Sequence, residues 1–163
     1  NEPWLANVRG RSIFDRLPML HDTVPFAHGC NMGFRRDLLE ELGGFDESFL
    51  AGCDQEIAVR AWRAGHELAF ASDAVIDYRL RPDLKSTWRQ GRSYGRYRIR
   101  VRQLITDHLD HAALQRANLR RIGWLVKHLP LTAWNRTVRA RWVWVAAQLV
   151  GEAWGMMEQR RGT

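Results

Sequence analysis

The stretch GGFDESFLAGCDQEIAVRAWRAG, residues 43–65, constrains the fold of this chain more than any other. Paired glycines stop one element. Four acids, Asp46, Glu47, Asp54 and Glu56, crowd the turn that follows, and a run with Ile57, Ala58, Ala61 and Trp62 at helical spacing ends on Gly65. That spacing predicts an amphipathic helix from Asp54 to Ala64, stopped by a glycine that enters left-handed backbone without a steric penalty. Asp is a favoured N-cap, and Glu56 suits the first turn, where the free N–H groups of the helix favour negative charge. A carboxylate held at a rigid helix entry is equally well placed to take a proton. Spacing leaves both roles of Asp54 open, cap and general base.

Upstream, the apolar patch Ile13, Phe14, Leu17 and Leu20 predicts one short helix before Asp22. TVPFAHGCNMGF, residues 23–34, is strand-like but interrupted by Gly29 and Gly33, where backbone can approach a ligand closely. RRDLLEELGG reads as a short helix stopped by glycine. Downstream, ELAFAS and AVIDYRL predict two short strands around a turn at Ser72 and Asp73. A basic helix follows from about Leu84 to about Ile105, then helices broken near Pro130 and Asn135.

Charge is divided along the chain. Of the net +7, residues 1–78 contribute −6, residues 79–103 contribute +8 and residues 104–163 contribute +5. Such asymmetry points to an anionic partner: a phosphate group, nucleic acid or lipid headgroups. Arg96, Arg98, Arg100 and Arg102 read as a solvated helix face. Cys30 and Cys53 are too few for a disulfide framework, and no signal peptide is readable, so a reducing interior is the default. They read as small buried residues. Asp107 and His111 in DHLDH stand one helical turn apart, and without a third ligand segment they read as surface.

The apolar run at residues 142–157 is shorter than the ~20 residues a spanning helix needs, and it carries Gln148 and Glu152. Trp124, Trp134, Trp142, Trp144 and Trp154, interleaved with Arg139, Arg141, Arg160 and Arg161, suit a membrane surface as well as they suit a helical cap packed on a core. The 163 residues are enough for one domain with a continuous core. Starting on Asn1, the chain reads as a processed product or as part of something longer.

GCNMGFRRDLLEELGGFDESFLAGCDQEIAVRAWRAG followed by DAVIDYRLRPDLKSTWRQGRSYGR resembles the C-terminal half of the catalytic domain of family 2 inverting glycosyltransferases, over about residues 24–100. The G-x-N-x-x-x-R-R segment, the G-G-F-D-E turn, the acid-bearing helix start and Y-R-x-R-P-D occur in the family's order. The resemblance implies an α/β fold: residues 1–103 as the acceptor-side part of a Rossmann-like GT-A domain, and residues 104–163 as a helical, Trp- and Arg-rich extension. It implies Asp54 as the base that deprotonates an acceptor hydroxyl, with Cys53 standing where the family has Glu. Gly29, Asn31, Glu56, Arg79, Arg81, Arg89, Gln90 and Arg92 would contact substrate, the arginines at the diphosphate. Asp77 stands where family members often place a metal-binding His, and its oxygen suits Mg²⁺ or Mn²⁺.

The implied partners are a nucleotide-diphosphate sugar and a glycan or lipid-linked acceptor of the cell envelope, and the Trp- and Arg-rich composition of the tail adds a peripheral surface on the cytoplasmic face of the plasma membrane as an expected partner. WRQG lacks the full Q-x-x-R-W pattern, which points to a non-processive enzyme. The family's sugar-nucleotide half, with its Asp-x-Asp motif, has no counterpart in these residues, so the isolated chain is expected not to transfer sugar. The competing readings are a non-catalytic module for anionic lipid or nucleic acid, and a degenerate transferase scaffold. Nucleic acid is disfavoured because no nucleic-acid motif is present.

Overall fold

Among the residues it describes, 16–78 and 81–162, the computed structural model forms five α-helices, two short 3-10 turns and one two-stranded ribbon. These residues divide into two compact units, 16–77 with 101–108, and 78–100 with 109–162.

In the first unit, β1 (Met19–Leu20) pairs antiparallel with β2 (Val24–Pro25), Leu20 opposite Val24. The connecting residues His21 and Asp22 have φ of 51° and 59°, left-handed backbone that polar residues such as these tolerate best. No right-handed helix passes through such a pair, so the helix expected before Asp22 is replaced, over the described residues, by a ribbon that buries Leu20 and Val24. Ile13 and Phe14 lie outside the described residues.

Two expected helices of this unit are present. α1 (Arg36–Glu41) ends where Gly43 N–H donates to the Glu40 carbonyl and Gly44 N–H to the Leu39 carbonyl, a paired closure that satisfies otherwise orphaned carbonyls. α2 (Cys53–Arg63) buries Glu56, Ile57, Ala58, Val59 and Ala61. These side chains form a core with Leu20, Val24, Phe26 and Phe49, closed by Val101 and Ile105.

The strands expected at residues 67–72 and 74–80 are not formed over residues 67–78; Arg79 and Leu80 lie outside the described residues. The backbone turns there, with Ala74 N–H donating to the Ala71 carbonyl and Val75 N–H to the Asp73 carbonyl. Phe70, Val75 and Ile76 are exposed. Their β-favouring composition marks a surface able to pair, but no strand of the described residues lies alongside to complete a ladder. The expected α/β architecture is therefore, over the described residues, a predominantly helical one with a single short ribbon.

The second unit is helical. α3 (Leu84–Leu104) contributes its residues through Arg100, and α4 (His111–His128) and α5 (Arg136–Arg161) complete it. Asp110 caps α4 by accepting from Ala113 N–H at 2.9 Å, and Asn135 caps α5 by accepting from Val138 N–H at 3.0 Å. The break expected at Pro130 and Asn135 is a 3-10 turn over Pro130–Ala133 followed by that cap.

Where α3 meets α5 the two backbones nearly touch. A Cβ added to Gly95 would fall closer than 3.0 Å to the Gln148 carbonyl oxygen, and one on Gly151 would do the same to that of Arg92. Gly91, Gly95, Ala147, Gly151 and Gly155 recur every four residues, the spacing at which small side chains let helices approach closely.

Beside this seam, buried Glu152 accepts from Arg98 and from Arg121, each at 2.8 Å, and Gln148 Oε1 accepts from the same two guanidinia at 3.2 and 3.3 Å. Arg96 donates to Glu158 at 2.7 Å. Arg96 and Arg98 are thus ties between α3 and α5 rather than a solvated face. The sequence conceals this because the partners lie 62 and 54 residues away. Replacing Glu152 with Gln leaves two guanidinia facing a neutral amide, and we expect a loss of about 2 kcal/mol, read from the midpoint of urea unfolding.

Candidate functional site

Asp54 is the second residue of α2 and does not cap it. The chain enters the helix through Gly52, at φ 77°, which has no side chain to cap with. Left-handed backbone at Gly52 starts the helix one residue earlier than the sequence predicts and leaves the Asp54 carboxylate in the first turn. There Oδ1 accepts from Gln55 N–H at 2.9 Å, while Oδ2 accepts from Gly29 N–H at 3.0 Å. A carboxylate offers about four lone-pair positions, so two backbone bonds fix its orientation and leave acceptor capacity for a hydroxyl. Asp54 is half-buried, so the group remains reachable.

The second tether belongs to the loop that carries Gly29. Asn31 N–H donates back to the His28 carbonyl at 2.8 Å, closing the turn, and the Asn31 side-chain amide donates to the Ala74 carbonyl at 2.6 Å. One short loop therefore holds the Asp54 carboxylate at Gly29 and the 71–77 segment at Asn31. A Cβ added to Gly29 would lie 3.5–3.8 Å from the Asp54 side chain, in ordinary contact with it.

Glu56, expected at the substrate, is buried and spends both oxygens on Arg60, at 2.6 and 2.8 Å. Arg60 in turn donates to the carbonyls of Leu42 and Gly44, the latter at 2.8 Å, so the pair fastens the end of α1 to α2. The hydrogen bond to Glu56 raises the Arg60 guanidinium above its already high pKa. Arg60 was not singled out from the sequence, although Glu and Arg four apart on a predicted helix give a readable signal.

The expected diphosphate residues fall in the other unit. Arg79 lies outside the described residues. Arg81, Arg89 and Arg92 are exposed, and Gln90 donates to the Tyr94 hydroxyl at 3.2 Å. Arg89 and Arg92 join Ser93, Arg96 and Trp154 around a small cavity of about 130 Å³. Arg92 lies over the Trp154 ring at 5.2 Å and Arg96 at 5.9 Å. Three guanidinia and a hydroxyl around one hollow suit an anion with several oxygens. Trp154 was missed as a member because nothing in the local sequence shows which face α5 turns to α3. At the start of α3, Asp83 accepts from Ser86 N–H at 2.7 Å, and that bond, first among the causes, holds its carboxyl below the usual range.

For a divalent cation the described residues offer one of the expected ligands, Asp77. Asp77 is exposed, and among the described residues no three His, Cys, Asp or Glu side chains gather to hold a metal. Mg²⁺ and Mn²⁺ are commonly held by one or two carboxylates together with substrate phosphates and waters, so Asp77 would supply one oxygen of such a set. Cys30 and Cys53 are free, the first exposed and the second half-buried, so neither is the fully buried residue expected.

Comparison with known proteins sets this geometry in a family. Over 75 residues, 45% of its length, the chain is 35% identical to the probable glycosyltransferase YdaM of Bacillus subtilis (strain 168), and the matched part is 17% of that protein. The chain therefore spans only a small part of this curated relative. No solved structure matches. The family model described as glycosyl transferase family group 2 matches residues 5–157, nearly the whole chain, and its reach takes in the Gly29 loop, the Asp54 helix entry and the arginines of α3 alike. The chain belongs to the group 2 glycosyltransferase family.

Proposed function

We propose that this chain is the acceptor-side part of an inverting glycosyltransferase that uses a nucleotide-diphosphate sugar. Residues 1–103 are the acceptor-side part of a GT-A domain and residues 104–163 a helical extension. The observation that carries the reading is the Asp54 carboxylate, fixed at the entry of α2 by Gly29 N–H and Gln55 N–H with acceptor capacity to spare.

In the proposed reaction Asp54 takes the proton of an acceptor hydroxyl as its oxygen attacks the anomeric carbon. The new C–O bond forms as the bond to the diphosphate oxygen breaks, and that oxygen leaves with the electron pair. Attack opposite the leaving group inverts the anomeric centre. Gly29 and Asn31 hold the loop that orients the base, and Glu56 acts on the same helix through Arg60. Arg81, Gln90 and the hollow of Arg89, Arg92 and Arg96 belong to the other unit, where the guanidinia suit an anion with several oxygens such as a diphosphate. Asp77 would supply one oxygen to a divalent cation that accompanies the donor diphosphate.

The sugar-nucleotide half lies, on this reading, on a further stretch of polypeptide. The exposed, strand-like Phe70, Val75 and Ile76 support it, as apolar residues with β-favouring side chains that have no ladder partner among the described residues. The test compares the 163-residue chain with the same chain joined to a family sugar-nucleotide half, supplied with a panel of nucleotide sugars and hydroxyl acceptors. The joined protein alone should transfer, and its product should have the anomeric configuration opposite to the donor's. Robust turnover by the 163 residues alone, or retention of configuration, would overturn the proposal. Nucleotide-sugar binding without transfer would mark a degenerate scaffold.

A further inference from the structure

We propose that the solvent face of α4, with the turn that follows it, docks on the surface of an anionic lipid bilayer. This goes beyond the sugar chemistry and does not depend on it. Leu119, Ile122, Val126 and Leu129 are all exposed, at a spacing of three and four residues that aligns them along one side of the helix. Val126 is 70% exposed, so the stripe is not a grazing edge of the core. Just beyond it Leu131 and Trp134 are exposed as well, Trp134 at 72%.

A row of cations runs beside the stripe. Arg116, Arg120 and Lys127 are exposed and follow the same helical spacing one step around the helix. Arg116 reaches only the α4 cap Asp110, at 3.7 Å, and Arg120 and Lys127 make no ion pair among the described residues. Arg120 also borders a hollow of about 350 Å³ whose other walls include Arg121, Trp124 and Arg141, a space of headgroup size lined by guanidinia.

Charge decides which occupant fits. Residues 111–151 carry seven Lys and Arg and no Asp or Glu. A second copy meeting this face about a two-fold axis would set cations against cations, which disfavours self-association. An anionic bilayer meets both features at once: phosphates and carboxylates opposite the arginines, and an acyl boundary to take the apolar row. Trp134, apolar in body and polar at its N–H, suits the same boundary. No helix of the described residues is long and apolar enough to cross a membrane, so the contact is one of lying on the surface.

The test is flotation of the full chain with phosphatidylcholine vesicles, with and without phosphatidylserine. Binding should require phosphatidylserine and weaken as salt rises. The double variant Ile122→Glu/Val126→Glu should lose affinity tenfold or more, with its far-ultraviolet circular dichroism unchanged because both positions are exposed. Arg120→Gln/Lys127→Gln should lose roughly fivefold for each cation removed. Leu50→Glu, at a still more exposed position but in the other unit, should bind as the parent does. Equal binding to both vesicle types, full binding by the Ile122→Glu/Val126→Glu variant, or a dimer in sedimentation that this variant dissolves would each overturn the proposal, the last by showing that a second copy covers the face.

Discussion

Replacing Asp54 with Asn in the protein joined to its sugar-nucleotide half is expected to cut transfer by about a thousandfold, the loss typical of removing a general base. Donor affinity should stay within about twofold, because the amide keeps the shape of the carboxylate while it loses the charge, the capacity to take a proton and one of the two acceptor oxygens. The loss corresponds to about 4 kcal/mol of transition-state stabilisation. The two backbone donors give the experiment an internal gauge. Gly29 N–H and Gln55 N–H each donate to a separate oxygen, and Asn offers one oxygen where two are needed. One N–H then faces an amide NH₂, at a cost of about 1–2 kcal/mol in folding that thermal unfolding reads directly. Kinetics under donor saturation, with donor affinity from calorimetry, separate the two effects. Transfer and donor binding falling together by the same factor would mean that Asp54 only holds the helix entry in place.

Gly95→Ala should destabilise the protein by about 3 kcal/mol, at the upper end for an overpacked site. The new methyl would meet the carbonyl oxygen, carbonyl carbon and Cα of Gln148, all backbone, so no side chain can swing away to make room. For a chain of this length that corresponds to a fall of roughly 6–12 °C in Tm. Gly123→Ala in α4 provides the opposite control. Nothing lies within 4 Å of its added Cβ, and exchanging glycine for alanine inside an exposed helix should stabilise by about 0.5–1 kcal/mol. The melting of the helical circular dichroism signal reads both variants. Equal midpoints for Gly95→Ala and the parent would mean that the α3–α5 approach is looser than this packing.

The helices were legible because their punctuation is local. Gly43 and Gly44 end α1, Gly65 follows α2, and Asn135 starts α5 just after the Pro130 turn, each within a few residues of the element it bounds. Of the two roles the sequence left open to Asp54, the cap is not the one it fills, because Gly52 takes the helix entry one residue earlier and the carboxylate accepts from Gly29, 25 residues away. The strands expected at residues 67–80 are not formed over 67–78 for the complementary reason. Apolar alternation reports which residues suit a ladder and says nothing of whether a partner strand is present. The pairing of Arg98 with Glu152 was equally out of reach, since it depends on how α3 and α5 cross, and local spacing carries no information about that.

The small-residue seam between α3 and α5 behaves as a ratchet. Ala147, Gly151 and Gly155 recur every four residues, so sliding α5 by one step, about 6 Å along its axis, would return small residues to part of the seam, yet it would also bring the Ala147 methyl, or the Gln159 side chain, to a seat where only glycine clears the α3 backbone. Glycine placement therefore already favours one setting. Glu152 adds to that choice: its carboxylate meets Arg98 and Arg121 together in this setting, and any slide would strand a buried charge away from both. In this protein the glycines set how closely the helices approach, and one acid reinforces where along each other they stop.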